Sequence, residues 1–152
     1  MLRQQLNDAL KTAMLGKDAR TVSTVRLILA ALKDRDIAAR PKGVVDGIAE
    51  DEILQMLQGM IKQRRESITL YEQGNRPELA QQEREEITVI ERFLPSQMSE
   101  AEAAEAIAQV VAEIGAVGVK DMGRVMAALK ERYAGRLDFA KAGAAAKAAL
   151  GG

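Results

Sequence analysis

The sequence predicts an all-α protein, with an N-terminal bundle of about four helices over residues 1–95 and a small three-helix domain over residues 96–152. Three observations carry this expectation. Apolar residues recur at three- and four-residue spacings along most of the chain. Aromatics make up only 3% of the 152 residues. The core must therefore be Leu, Ile, Val, Met and Ala, a set that favours packed helices over sheets. Glycines, prolines and capping residues punctuate the periodic runs at helix-length intervals.

Leu2, Leu6, Ala9, Leu10, Ala13 and Met14 form the first stripe, and Gly16 ends it. Asp18 or Thr21 can cap a second helix carrying Val22, Val25, Ile28, Leu29, Ala31 and Leu32. From Arg40 to Gly47, two glycines and Pro41 interrupt the helical period, so an exposed loop is expected. A third helix starts in the acidic run Glu50-Asp51-Glu52, which suits the positive end of a helix dipole, and continues past Tyr71. Gly74 is placed to close it in a left-handed conformation. Asn75, with Glu78 three residues on, approximates a capping box for a fourth helix that Pro95 stops.

Beyond Pro95, Ser99 and Glu102 form a second capping box, opening a helix that Gly115 closes. Another helix carries Met122, Val125, Met126 and Leu129, with Gly123 expected where a neighbouring helix passes close. Asp138 can cap a last, alanine-rich helix before a frayed Gly151-Gly152 tail.

Composition excludes several kinds of chemistry. With no histidine and no cysteine, the chain lacks the residues of ordinary zinc sites, disulfides and Ser-His-Asp or Cys-His nucleophiles. It carries no phosphate-binding glycine loop. Glu83, Glu85 and Glu86 could in principle do acid–base work, but pairing with Arg64, Arg65 or Arg92 on neighbouring turns accounts for them better. No catalytic, metal or cofactor residue is assigned. No stretch has the length and apolarity of a membrane span, and the first residues lack the apolar region of a signal peptide. A soluble, cytoplasmic protein without a membrane partner is expected.

Formal net charge is zero, yet the last third is polarised. Residues 96–119 hold four acidic side chains, Glu100, Glu102, Glu105 and Glu113, and no basic ones. From Lys120 onward come seven cations, Lys120, Arg124, Lys130, Arg132, Arg136, Lys141 and Lys147, against three acids. A basic face on two adjacent helices can hold the phosphates of a folded RNA without reading its bases. These seven residues are the candidate nucleic-acid contacts. Met14, Met56, Met60, Met98, Met122 and Met126 are assigned to core packing, and Tyr71 and Arg76 to the reversal.

One ordered set of segments resembles the GatB/YqeY family. It comprises Arg64-Arg65-Glu66-Ser67-Ile68 with Tyr71, Gly74-x-Arg76-x-Glu78-Leu79-Ala80 with Glu83 and Glu86, Phe93-Leu94-Pro95, and Asp121-Met122-Gly123-Arg124-Val125-Met126. The resemblance covers essentially the whole chain and is to the stand-alone members. It implies a two-part helical module like the C-terminal end of the B subunit of the glutamine-dependent aspartyl/glutamyl-tRNA amidotransferase, or the appendage of some glutaminyl-tRNA synthetases. The implied role is to hold tRNA beside other domains that do the chemistry. The family's label of carbon–nitrogen ligase with glutamine as amido-nitrogen donor then belongs to the larger enzyme. Alternatives are a protein–protein adaptor and an accessory subunit of an amidotransferase or aminoacyl-tRNA synthetase.

Overall fold

A computed structural model of the chain describes residues 1–151. Gly152, half of the expected frayed tail, lies outside the described residues. Among the described residues there are seven α-helices and no strand: α1 (Leu2–Leu15), α2 (Ala19–Ala39), α3 (Glu50–Gln73), α4 (Pro77–Glu91), α5 (Glu100–Ile114), α6 (Met122–Tyr133) and α7 (Phe139–Ala149). Two 3-10 turns, Arg40–Lys42 and Val119–Asp121, join them. The chain divides into two compact units, Met1–Pro95 and Ser96–Gly152.

In the first unit α4 packs against both α2 and α3, and α1 lies on α2, whereas α2 and α3 meet at few points. Leu6, Val25, Ile28, Ile53, Met56, Leu57 and Ile90 are fully buried there. Removing each such side chain from water stabilises the fold by roughly 1.5–3 kcal/mol before ordering costs. In the second unit the core is Ile107, Val110, Val125, Leu129, Leu137, Ala142, Ala146 and Leu150.

The helix ends show which local signals decide. Asp18 caps α2 by accepting from the Thr21 amide, and it also accepts from the Thr21 hydroxyl. Ser99 and Glu102 form both hydrogen bonds of a capping box, and Asp138 accepts from the Ala140 and Lys141 amides. At Gly74 the structure corrects the expectation. Gly74 keeps a φ of −83°, and the left-handed residue is Asn75, at φ 57°. Arg76 N–H donates to the Tyr71 carbonyl at 2.7 Å and Asn75 N–H to that of Glu72 at 3.2 Å, the paired bonds of a Schellman motif. Asn75 is thereby used to end α3 and does not cap α4, which starts at Pro77 with no side-chain cap. The end of α1 repeats this device, with Lys17 at φ 54° after Gly16.

Three further expectations change. Met14 is half exposed rather than part of the core. Helix α4 ends at Glu91, four residues before Pro95, and unwinds through turns at Phe93 and Leu94. A Cβ on Gly123 would meet nothing within 4 Å, so no neighbouring helix passes close to it.

The Arg40–Gly47 segment is tied down at its far end. The Arg3 guanidinium grips Asp36 through two bonds of 2.7 and 2.8 Å, and also donates to the Ile48 carbonyl at 3.0 Å. Asp36 in turn accepts from the Ile48 amide at 2.9 Å. Gly47, at φ 96°, passes so close that a Cβ there would sit 2.5 Å from the Arg3 guanidinium. The Arg3 hydrogen bonds hold the Asp36 carboxyl down to about 2.

Candidate nucleic-acid interface

The seven predicted cations fall into two classes. Each of the three arginines is engaged by the second unit itself. Arg124 donates to the Ile114 carbonyl at the end of α5 (2.9 Å) and lies 3.7 Å from Asp121. Arg132 pairs with Glu113 of α5 at 2.6 Å, which lowers the Glu113 carboxyl and raises the guanidinium. Arg136 donates to the Ser96 carbonyl at 2.9 Å, and its own carbonyl accepts from the Met98 amide. A planar fork with five donors suits such work.

The four lysines differ. Lys120, Lys130, Lys141 and Lys147 are all exposed, and none of their ammonium groups makes a hydrogen bond or ion pair among the described residues. Lys130 and Lys147 lie in the last turns of α6 and α7, where the helix dipole favours a cation. Lys120 and Lys141 sit instead at helix starts, just ahead of α6 and in the first turn of α7. The dipole there favours an anion. Each has an acidic neighbour at the same helix start: Asp121 follows Lys120, and the Asp138 carboxylate already accepts from the Ala140 and Lys141 amides. The exposed ammonium groups, and not the helix amides, are what is left to meet phosphate oxygens. The lysines do not share one narrow stripe, because Lys141 and Lys147 are six residues apart, about 120° around the helix. Sequence reasoning grouped all seven cations; only the identity of their neighbours separates them.

The other candidates resolve into structural roles. Arg64 donates to Glu86 at 3.0 Å and lies 3.9 Å from Glu83. Arg20, which sequence reasoning left out of this set, pairs with Glu85 at 3.1 Å and approaches Glu86 at 4.0 Å. Arg65 faces Glu91, and Arg92 donates to the Thr21 hydroxyl. Burial, then the neighbouring Glu86, raises the Glu83 carboxyl, while Arg64 opposes them. The carboxylates are thus held by arginines from α2 and α3. Asp121 accepts from the Val117 amide, its main lowering influence; Met122 packs on the second core. Arg76 pairs with Glu78 at 2.7 Å. Among the described residues no cluster of three or more potential metal ligands occurs, and no helix is long and apolar enough to cross a membrane.

Curated relatives match this chain over somewhat more than half of its length. A protein of Meyerozyma guilliermondii named altered inheritance of mitochondria protein 41, mitochondrial, is 40% identical over 89 residues, 57% of this chain and 43% of the relative. Proteins of the same name from Eremothecium gossypii and Candida glabrata are 36% and 33% identical over 89 residues, 59% of this chain in each case and 46% and 47% of the relatives. The chain spans less than half the length of these relatives. Their names place them in mitochondria, and this overturns the expectation of a cytoplasmic protein. That expectation rested largely on the lack of a long apolar stretch, a feature shared by proteins of several compartments. The family is decided over a longer range: residues 3–150 match the model described as Yqey-like protein, and the chain belongs to that family.

Proposed function

We propose that the protein is a non-catalytic tRNA-holding module, in which the first unit is a supporting helical bundle and the second a small tail-like domain that contacts the RNA. The observation that carries this reading is the set of four exposed lysines without partners, two of them at helix starts. Phosphates are the ligands such a set suits, because backbone contacts need charge and reach but no base-reading groups. The chemistry attached to the GatB/YqeY label would lie in a separate amidotransferase or aminoacyl-tRNA synthetase; the lack of histidine and cysteine in this chain supports that reading.

The test is fluorescence anisotropy of labelled bulk tRNA titrated with the protein across a salt series. Phosphate binding makes log K fall linearly with log salt, by about 0.7 to 0.9 per contact. Replacing Lys120, Lys130, Lys141 and Lys147 together by alanine is expected to flatten that slope by about 3 and leave the helical signal intact. Replacing Arg124, Arg132 and Arg136 is expected to lower thermal stability as well. An unchanged slope in the lysine variant, or no binding at low salt, would remove this reading.

A second reading, a protein–protein adaptor, is favoured by a different observation. An open groove of about 520 Å³ on the first unit is lined by Met14, Lys17, Ala19, Val22, Ser23 and Arg26. Met14 is half exposed in it, and a flexible thioether suits a surface that adapts to partners.

A further inference from the structure

The sparse contact between α2 and α3 leaves a cleft of about 350 Å³ in the first unit. Its floor is Ala31, Met56 and Met60, and Arg35 and Lys62 stand at its rim. Neither cation makes a hydrogen bond or ion pair among the described residues. One acidic side chain, Glu66, also lines the cleft.

Gly59 lies in the same lining, inside the 24-residue helix α3. A glycine inside a helix destabilises it relative to alanine. Nothing in the chain requires this one, because a Cβ built there would meet no atom within 4 Å. The first unit's own packing therefore does not explain Gly59. A helix lying across α3, with its backbone brought close, would.

The chain carries a helix of matching surface. On α5, Ala101, Ala104, Ala108 and Ala112 are all exposed. At 3.6 residues per turn they fall within about 80° of one another, on the side away from Ile107 and Val110. Glu100 and Glu105 border this ridge on either side, and neither has a partner among the described residues. Glu102 and Glu113, by contrast, are engaged by Ser99 and Arg132.

We propose that the α2–α3 cleft receives α5 of a second copy of this chain. The alanine ridge meets the bare backbone at Gly59, and Glu100 and Glu105 reach Arg35 and Lys62. Two copies exchanging α5 reciprocally make a closed two-fold dimer with two equal contacts. Charge complementarity selects this occupant: the cleft presents two cations against one carboxylate, Glu66, over an apolar floor, and α5 presents carboxylates beside a smooth apolar ridge with no basic residue on the helix.

Sedimentation equilibrium of the full chain, at low and high salt and over a wide concentration range, tests the proposal. A monomer–dimer equilibrium that weakens with salt is expected. Gly59→Leu should weaken it about tenfold or more without lowering the melting temperature, since the added side chain enters the open cleft. Gly59→Ala should raise the melting temperature and weaken association less. Arg35→Glu with Lys62→Glu should disrupt the dimer, as should Glu100→Lys with Glu105→Lys. An equimolar mixture of the two charge-reversed proteins should restore association through both contacts, one native and one with its charges exchanged. A chain that stays monomeric at the highest concentration overturns the proposal. So does a dimer indifferent to Gly59→Leu, or one that the charge-reversed mixture fails to restore.

Discussion

At the residue scale, two arginine–carboxylate contacts of similar appearance carry different weight. Arg64 and Glu86 have side chains only 13% and 9% exposed, whereas Arg65 and Glu91 are 69% and 51% exposed. Breaking a buried pair leaves an uncompensated charge and costs about 3 kcal/mol or more; an exposed pair is worth about 0–1 kcal/mol. Arg64→Ala should therefore shift the urea midpoint strongly, and Arg65→Ala should hardly move it. The acid side of the stability profile has a definite sign at Asp36. Its folded carboxyl is held down to about 2 against an ordinary 3.8, so the unfolded chain binds the proton first as pH falls. The stabilisation is complete above pH 3.8 and fades between 3.8 and 2. With solvent screening allowed for, it is worth about 1 kcal/mol. Asp36→Asn should lower stability at pH 7 and converge with the parent near pH 2, as read by urea titrations at stepped pH. Glu83 runs the other way. Burial raises its carboxyl, so ionising it costs stability, and Glu83→Gln should stabilise the protein at neutral pH, with the gain vanishing in acid.

At the scale of elements, local signals were readable and distant partners were not. Ser99-x-x-Glu102 and Asp138 could be read as caps because every atom involved lies within three residues. Ser99→Ala removes the acceptor for the Glu102 amide and should destabilise the second unit by about 1 kcal/mol, measurable as a lower melting temperature. The Gly74-Asn75 pair misled by one position, since asparagine, unlike most residues with a side chain, also visits the left-handed region. The Arg3–Asp36–Ile48 clamp joins residues 33 and 12 positions apart, and nothing in its neighbourhood announces it. The candidate site divides the same way. Seven cations after residue 119 are plain in the sequence, but their sorting is not. Arg132 is occupied because α5 brings Glu113 to it, and Arg124 because α5 ends with its Ile114 carbonyl in reach. Lysines lack the planar fork that makes such engagement geometrically selective, and here they are left to solvent.

At the scale of the whole molecule, the two units differ in how much large apolar material they bury. Among the largest fully buried side chains, Leu6, Ile28, Ile53, Met56, Leu57, Ile90 and Val25 belong to residues 1–95, against Leu129, Val110 and Val125 from the remainder. Each buried cluster also closes within its own unit: the first runs from Leu2 to Ile90 and the second from Ile107 to Leu150. A unit of about 57 residues is near the size at which a single core is marginal. Alanines at 142 and 146 supply part of its interior, and each contributes less apolar area than leucine would. Unequal stability follows. In native-state hydrogen exchange, the amides of α5–α7 should open with a smaller free energy than those of α2–α4, as a separate cooperative group. The fragment 1–95 should unfold cooperatively on its own, and a fragment starting at Ser96 should melt at a lower temperature. If tRNA engages Lys120, Lys130, Lys141 and Lys147, its addition should slow exchange in α6 and α7 selectively, because a ligand stabilises the state it binds. Uniform protection across both units would instead mean that the molecule opens as one body, with no unit free to respond alone.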